Sequence, residues 1–472
     1  MQRIGFQNVI CGSWRAPTGT DTLRLVNPAT EADAGILPLS GGDDVDAAVR
    51  AAHGSGWHTS DPEQRLAALT GLIRGIEGQR TAIAAVIAEE IGAPAKFADA
   101  GHVGAALTHL AAYREVLSQA AAEEGPWQDP HHRVRYEPLG VAALITPWNW
   151  PLNQVALKVG AAMAAGCPMV LKPSELTPRT SLMFADIMVK VLRGVGGPGA
   201  FSLLLGGGEV GEALVRHRDV SVVSFTGSTA VGRKIGAIAG ADLKTAMLEL
   251  GGKSPNILFA DCDVPLAVAQ GVAHCFRNGG QSCNAASRMI VQRPIYEQVI
   301  AAARDAAVAF RAGVDYGPII TEGHFSNVLS LIEQGVAEGA RLVAGGPGRV
   351  AGNGFFPKPT VFADVTPNMT IWEREIFGPV LTITPFDAEA EAIALANDTQ
   401  YGLAGYIQTA DATRADRVAR ALNVGMVQVN GSSRASGAPF GGVKASGIGR
   451  EGGLWGIRAF QSAKSISGTA AV

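Results

Sequence analysis

Between residues 141 and 239, short apolar runs alternate with helical patterns at a nearly constant spacing, and few folds accept such a series. Strands are predicted at 141–146, 168–172, 201–205 and 221–226, and helices at 153–165, 178–192, 208–216 and 229–239. The strands are apolar throughout rather than alternating, so both faces of their sheet must be covered. Strand–helix repetition of this kind implies an α/β fold with a parallel, Rossmann-like sheet between two helical layers. Such sheets bind ligands outside the carboxyl ends of their strands. A second α/β series follows Gly251, with strands at 255–259, 287–292, 380–384, 405–409 and 426–430 and helices at 264–278, 295–311, 388–397 and 412–421. Helical patterns at 43–52, 62–78, 82–90 and an Ala-rich 98–122 precede both. An exposed strand is expected at 133–137, ended by Pro138, and a last one at 460–466.

At 472 residues the chain has room for two or three domains of roughly 100–200 residues. A hydrophobic share of 47% against 17% charged supplies large cores and excludes a disordered chain. A net charge of −3, with no dense Lys/Arg run, gives no electrostatic case for nucleic acid. Residues 1–10 lack the basic start and apolar run of a signal peptide. No uninterrupted apolar run of about 18 residues exists to span a membrane. Cys11, Cys167, Cys262, Cys275 and Cys283 are odd in number and scattered, which argues for a reducing, cytoplasmic setting. No Cys/His cluster has metal-like spacing, and the adjacent His131-His132 pair would point two ways, so no metal site is expected.

Several segments fall where this architecture places ligands. Gly280-Gln-Ser-Cys283-Asn284 is a turn after a helix. Its cysteine is either an exposed, activated thiol or an inert small residue. Glu249, between leucines in Leu248-Glu-Leu-Gly-Gly-Lys253, is either a base with a raised pKa or an outward-pointing strand residue. Pro147-Trp-Asn-Trp-Pro151 holds Asn149 in a stiff turn, as an oxyanion donor or a helix cap. Lys172-Pro-Ser-Glu175 ends one strand. Phe225-Thr-Gly-Ser-Thr229 ends another and opens a helix, where backbone N–H groups favour phosphate.

Together with Glu375-Ile-Phe-Gly-Pro379 and Pro439-Phe-Gly-Gly-Val-Lys444, these segments in this order resemble the aldehyde dehydrogenase superfamily. The resemblance runs from Asn27-Pro-Ala-Thr30 to Lys464. It implies NAD(P)-dependent oxidation of an aldehyde to an acid, with Cys283 as nucleophile and Glu249 as the base that activates water. Asn149 and the Cys283 N–H would form the oxyanion hole, and Lys158 would relay protons. A carboxylate at Glu249 favours hydrolysis over transfer to coenzyme A. For the cofactor, the likeness implies Thr146, Trp148, Lys172, Ser174, Glu175, Gly207, Gly227, Ser228, Gly251, Glu375 and Phe377. Glu175 favours NAD, because a carboxylate repels a 2′-phosphate; Lys172 beside it leaves NADP open.

The same likeness lines a substrate tunnel with Trp150, Gln154, Leu157, Ser282, Asn284, Arg434 and Phe440. Arg434 would either read a substrate carboxylate or be a solvated loop residue. The likeness further implies a cofactor domain (1–117 and 139–250), a catalytic domain (251–449) and a small β oligomerisation arm (118–138 and 450–472), hence a homodimer or homotetramer. The partner expected is a small aldehyde. An esterase-like use of the same thiol, or a non-catalytic role for the fold, are the rival readings.

Overall fold

The computed structural model describes residues 5–120, 123–125 and 131–468. Its first sheet has eight strands, in the order 447–448, 245–249, 220–226, 141–145, 169–172, 201–203, 8–10 and 13–15. The five strands from Thr245–Glu249 to Phe201–Leu203 run parallel, as the apolar series predicts. Val141–Ile145 and Met169–Lys172 are buried along their whole length. Ala142, Leu144 and Leu171 pack into one core, while Ala143, Ile145 and Val170 pack into another across the sheet. Continuous apolar strands thus mark a sheet with helices on both faces.

The second sheet has seven strands, in the order 341–344, 360–363, 380–386, 288–292, 255–258, 404–408 and 426–429, all parallel except the first pair. The chain crosses between the sheets in 250–254, so Glu249 ends the last main strand of one just before Pro255 opens the other. Gly447–Ile448 returns to the first sheet and pairs with Leu248 and Glu249. A small third sheet joins Gln461–Ser467, His132–Pro138 and Glu123–Glu124. Among the described residues, no helix is long and apolar enough to cross a membrane.

Two departures from the expected elements shape the site. The helix expected at 98–122 opens instead as a short helix, Ala95–Phe97, and a π-helical turn, Ala98–Val103, before Gly104–Gln119; residues 121–122 lie outside the described residues. The wide turn carries the fully buried His102 against Trp150, with ring centroids 4.5 Å apart. The helix expected at 264–278 ends at Phe276. Asn278 and Gly279 then turn left-handed, at φ 58 and 65. Periodicity alone cannot register that reversal, because Ala-rich and Gly-rich stretches look alike to it. The helix expected from Asn153 starts at Pro151, where a missing N–H costs nothing. The strands Asn8–Ile10, Ser13–Arg15, Thr22–Val26 and Asp33–Pro38, and the helix Glu322–Ala337, had no clear sequence pattern.

Candidate active site

The nucleophile candidate sits on the turn that the left-handed pair creates. Asn278 Nδ2 donates to the Asn149 carbonyl (2.9 Å) and the Gln281 carbonyl (3.3 Å). Gln281 is buried and saturated. Its amide donates to Asn278 O and Pro318 O, both at 2.9 Å, and its oxygen accepts from Ile320 N at 3.0 Å. The fixed Gln281 carbonyl accepts from Asn149 Nδ2 at 2.8 Å, which locks the amide plane of Asn149. Trp150 Nε1 donates to Ser282 Oγ at 3.1 Å. The far side of the turn is held by Tyr406, whose hydroxyl donates to Asn284 O at 2.9 Å, and by His274, whose Nδ1 accepts from Ala286 N at 3.2 Å. Burial and then Arg277 hold His274 down at about 4, so it is neutral and can accept there.

Cys283 is half-buried between these anchors. Gly252 meets it face on: a Cβ there would lie 2.3 Å from the Cys283 carbonyl oxygen. A Cβ on Gly251 would lie 2.2 Å from Glu375 Oε2, and Gly252 N donates to Glu375 Oε1 at 3.0 Å. The two glycines therefore let the end of the Glu249 strand touch both the cysteine turn and the Glu375 loop. Burial raises the Cys283 thiol, and the charges of Glu375 and Glu249 raise it further, so the resting thiol is protonated.

Glu249 is buried, its Oε2 without a hydrogen-bond partner among the described residues, and is not an outward-pointing strand residue. Burial first, then the nearby Glu451, hold its carboxyl well above the ordinary range; Lys158 and Arg450 pull the other way. Lys158, from the helix Pro151–Ala165, is also buried and donates to Ser224 Oγ at 2.9 Å and Glu451 Oε1 at 2.5 Å. Sequence reading missed Glu451, which stands in an unremarkable Arg-Glu-Gly-Gly run and reaches the site only through the fold.

The ends of the parallel strands form the groove expected for a dinucleotide. Thr146 Oγ1, just beyond one strand, and Thr226 Oγ1, at the end of its neighbour, are buried there without hydrogen-bond partners among the described residues. Ser228 caps the helix Thr229–Ala241, and Gly207 precedes the helix Gly208–Arg216 with open space where a Cβ would stand. Gly227 abuts the Phe225 ring. Lys172 is buried rather than solvated and contacts Gly206 O (2.6 Å), Pro173 O (3.2 Å) and Glu175 Oε2 (3.4 Å). Ser174 is buried, and its hydroxyl accepts from Leu176 N. Trp148 meets Phe377 edge to face at 5.8 Å, and Phe377 adopts φ 54. A ring nitrogen of His324 lies 2.8 Å from the Phe377 carbonyl; that histidine too was not singled out from the sequence. Two helix N-termini and two orphaned hydroxyls at carboxyl strand ends suit a pyrophosphate-linked ligand.

The expected tunnel residues divide. Trp150, Ser282, Asn284 and Phe440 are half-buried around Cys283, and Phe440 packs with Cys283 against Tyr406 and Leu403. Gln154 and Leu157 are buried on the helix Pro151–Ala165, with Gln154 Oε1 unpartnered. Arg434 is half-buried, its guanidinium carbon 5.3 Å from the Phe440 ring centroid.

Comparison with known proteins gives the family. The profile of the Aldehyde dehydrogenase family matches residues 14–466. The chain is 43% identical over 471 residues to a 3-succinoylsemialdehyde-pyridine dehydrogenase from Pseudomonas, covering 97% of this chain and 98% of that one. It superposes on an aldehyde dehydrogenase from Bartonella henselae with a TM-score of 0.95 at 41% identity, over 98% of each chain. It also superposes on a variant of aldehyde dehydrogenase C from Pseudomonas syringae, complexed with NAD+ and octanal, with a TM-score of 0.95 at 40% identity, over 99% of this chain and 97% of that one. With its fold and sequence agreeing along nearly the whole length, the chain is an oxidoreductase that belongs to the aldehyde dehydrogenase family.

Proposed function

We propose that the protein oxidises an aldehyde to a carboxylic acid with NAD as electron acceptor, through a thiohemiacetal and then a thioester on Cys283. The observation that carries this reading is the junction at Gly251-Gly252, which brings a buried carboxylate (Glu249), a locked amide donor (Asn149) and a thiol (Cys283) to one place. The Cys283 thiol passes its proton to ionised Glu249, its sulfur attacks the aldehyde carbon, and negative charge builds on the aldehyde oxygen. The free N–H of Asn149 and the backbone N–H of Cys283 stabilise that charge. NAD, when bound between the strand ends and the Glu375 loop, would supply the hydride acceptor that the oxidation requires. Glu249, ionised again, then takes a proton from water, which attacks the thioester carbonyl and releases the acid and the thiol. Lys158 and Glu451 give each proton a buried path away from Glu249.

Lys172, Ser174 and Glu175 would hold the adenosine ribose, and Thr146, Trp148, Gly207, Gly227 and Ser228 the diphosphate and its surroundings. Gly251, Glu375 and Phe377 would hold the nicotinamide half. Lys172 is already neutralised by Glu175, which supports NAD over NADP. The division proposed is a cofactor domain (1–117, 139–250), a catalytic domain (251–449) and an arm (118–138, 450–472); the three main sheets support it, except that Gly447–Ile448 pairs with the first sheet. The exposed strand Gln461–Ser467 is an edge that a second subunit would cover, in a homodimer or homotetramer. The test is NADH formation by the purified protein from NAD and a panel of aldehydes, with Cys283→Ala as control. Activity lost in that variant is expected. NADH formed equally well without the thiol would refute the reading.

A further inference from the structure

Most cations around this site are accounted for: Lys253 is buried beside the charge of Glu375, and Arg277 lies exposed over the Phe97 ring. Lys158 is tied to Glu451 and Ser224. Arg450 NH1 donates to Gly442 O and Gly449 O, both at 2.7 Å. Arg288 is held by backbone carbonyls. Among the described residues Arg434 makes one hydrogen bond, to the carbonyl of Ala438, and no ion pair. A guanidinium carries five N–H donors, so most of its capacity is unused.

Nor is it a freely solvated loop side chain. Arg434 is half-buried over the Phe440 ring, and Phe440 shares its packing with Cys283. On its other side Arg434 acts on His109 and Tyr113 of the helix Gly104–Gln119. Burial, then Arg434, hold His109 down at about 4, so it adds no second cation. Glu451 acts on Arg434 at a distance but is itself paired with Lys158, and burying a charge without a close counter-ion is unfavourable. The cost is recovered if a ligand brings the anion. An anionic ligand here would also meet Glu249, Glu375 and Glu451, and would need a positive group of this kind to enter at all.

We propose that Arg434 is a specificity-determining residue that takes the carboxylate of a substrate bearing its acid group at the end opposite the aldehyde. This rests on the aldehyde-oxidising reading above and names its substrate class. The planar guanidinium fork receives both carboxylate oxygens, while the ring of Phe440 supports its face. The chain between the two ends of the substrate then spans from Phe440 to Cys283. Because the contact forms in the bound substrate and persists in the transition state, it acts mainly on KM rather than kcat.

The test compares succinic semialdehyde with butanal, and para-carboxybenzaldehyde with benzaldehyde, in the wild type, Arg434→Gln and Arg434→Lys. The readout is the ratio of kcat/KM within each pair. A wild-type ratio favouring the acid by on the order of 10- to 100-fold is expected, given what charged hydrogen bonds contribute. That ratio should collapse towards unity in Arg434→Gln and recover in part in Arg434→Lys. A wild-type ratio near unity, or a ratio unchanged by Arg434→Gln, overturns the proposal while leaving aldehyde oxidation standing. NADH from neither member of either pair overturns both readings. Should the variants fail to fold, the wild type alone decides the matter. Benzoate should compete with the aldehyde and lose potency as salt rises, whereas benzamide should not; equal inhibition by the two refutes the carboxylate site.

Discussion

Replacing Asn149 by Ala separates the oxyanion role from a structural one, because the two have different sizes. One amide N–H of Asn149 is committed to Gln281 O at 2.8 Å, which leaves the other for a ligand. Loss of an oxyanion donor typically costs about 2.7–4 kcal/mol, or about 10²–10³ in rate. The structural loss is smaller, because Gln281 O keeps its contact with Asn278 Nδ2 at 3.3 Å, and a single neutral hydrogen bond contributes about 0.5–1.5 kcal/mol. The bond from the Asn278 side-chain amide to the backbone carbonyl of Asn149 is untouched by the change. A stopped-flow burst of NADH reports formation of the thioester. Its rate should fall about 10²–10³-fold in Asn149→Ala, with only a modest shift in the urea midpoint. Asn149→Asp should be slower still, since it sets a carboxylate oxygen against the Gln281 carbonyl and faces the developing oxyanion with like charge. A burst rate in Asn149→Ala within about threefold of wild type would remove Asn149 from the chemistry.

Glu249→Gln should slow the burst and lower steady turnover by on the order of 10²–10⁴-fold, and unchanged steady turnover would refute its assignment as the base. Glu249 works only when ionised and its pKa is raised, so wild-type kcat should fall as pH is lowered through that pKa. Glu451→Gln removes a charge that raises it and should move this acid limb to lower pH; a limb that stays or rises contradicts the cluster. Glu175→Gln removes the repulsion of a 2′-phosphate and should raise kcat/KM for NADP on the order of tenfold, from charged-contact magnitudes; no change would place the discrimination elsewhere. Glu375 raises the Cys283 thiol, so cofactor-free Glu375→Gln should be alkylated by iodoacetamide faster than wild type at the same pH, and a slower reaction would contradict that field. Arg288 has no exposed surface and donates to Lys253 O (2.9 Å), Leu395 O (2.9 Å) and Ala396 O (2.8 Å), with its guanidinium 4.5 Å from the Trp372 ring. Arg288→Met strands those carbonyls and should cost about 3–5 kcal/mol of unfolding free energy, read from urea curves; a loss below about 1 kcal/mol would refute its structural role.

The parallel core of the first sheet was legible because doubly covered strands write their burial as unbroken apolar runs. Val141–Ile145 and Met169–Lys172 needed nothing else. The N-terminal strands were not, because Ser13–Arg15 and Thr22–Val26 lie at edges with mixed burial and carry no sharp period. The site was legible as motifs but not as contacts. Nothing local says that Asn278 would turn left-handed and hold Asn149, or that Glu451 would meet Lys158 across 293 positions of sequence. His102 reads as an ordinary helix residue, and only a π-helical turn brings it beneath Trp150. Residues whose partners are set by tertiary crossing leave no mark on their neighbours in sequence.

The electrostatics of the site have a common direction. Burial raises the Cys283 thiol and the Glu249 carboxyl, lifts Glu375 to about 7 and lowers Lys253 to about 7. Each shift favours the uncharged form in a space from which water is largely excluded. A thiolate formed there would face Glu375 and Glu249, and Lys158 is already committed to Glu451. Ionisation of Cys283 is therefore least costly when a positive charge arrives from outside, and an oxidised nicotinamide carries one. The Gly251-Gly252 pair admits Glu375 beside that position, and Phe377, held at φ 54 against Trp148, would form its wall. On the proposed route, the carboxylates that suppress the thiol at rest would also favour a cationic cofactor, which would link nucleophile activation to cofactor binding through charge.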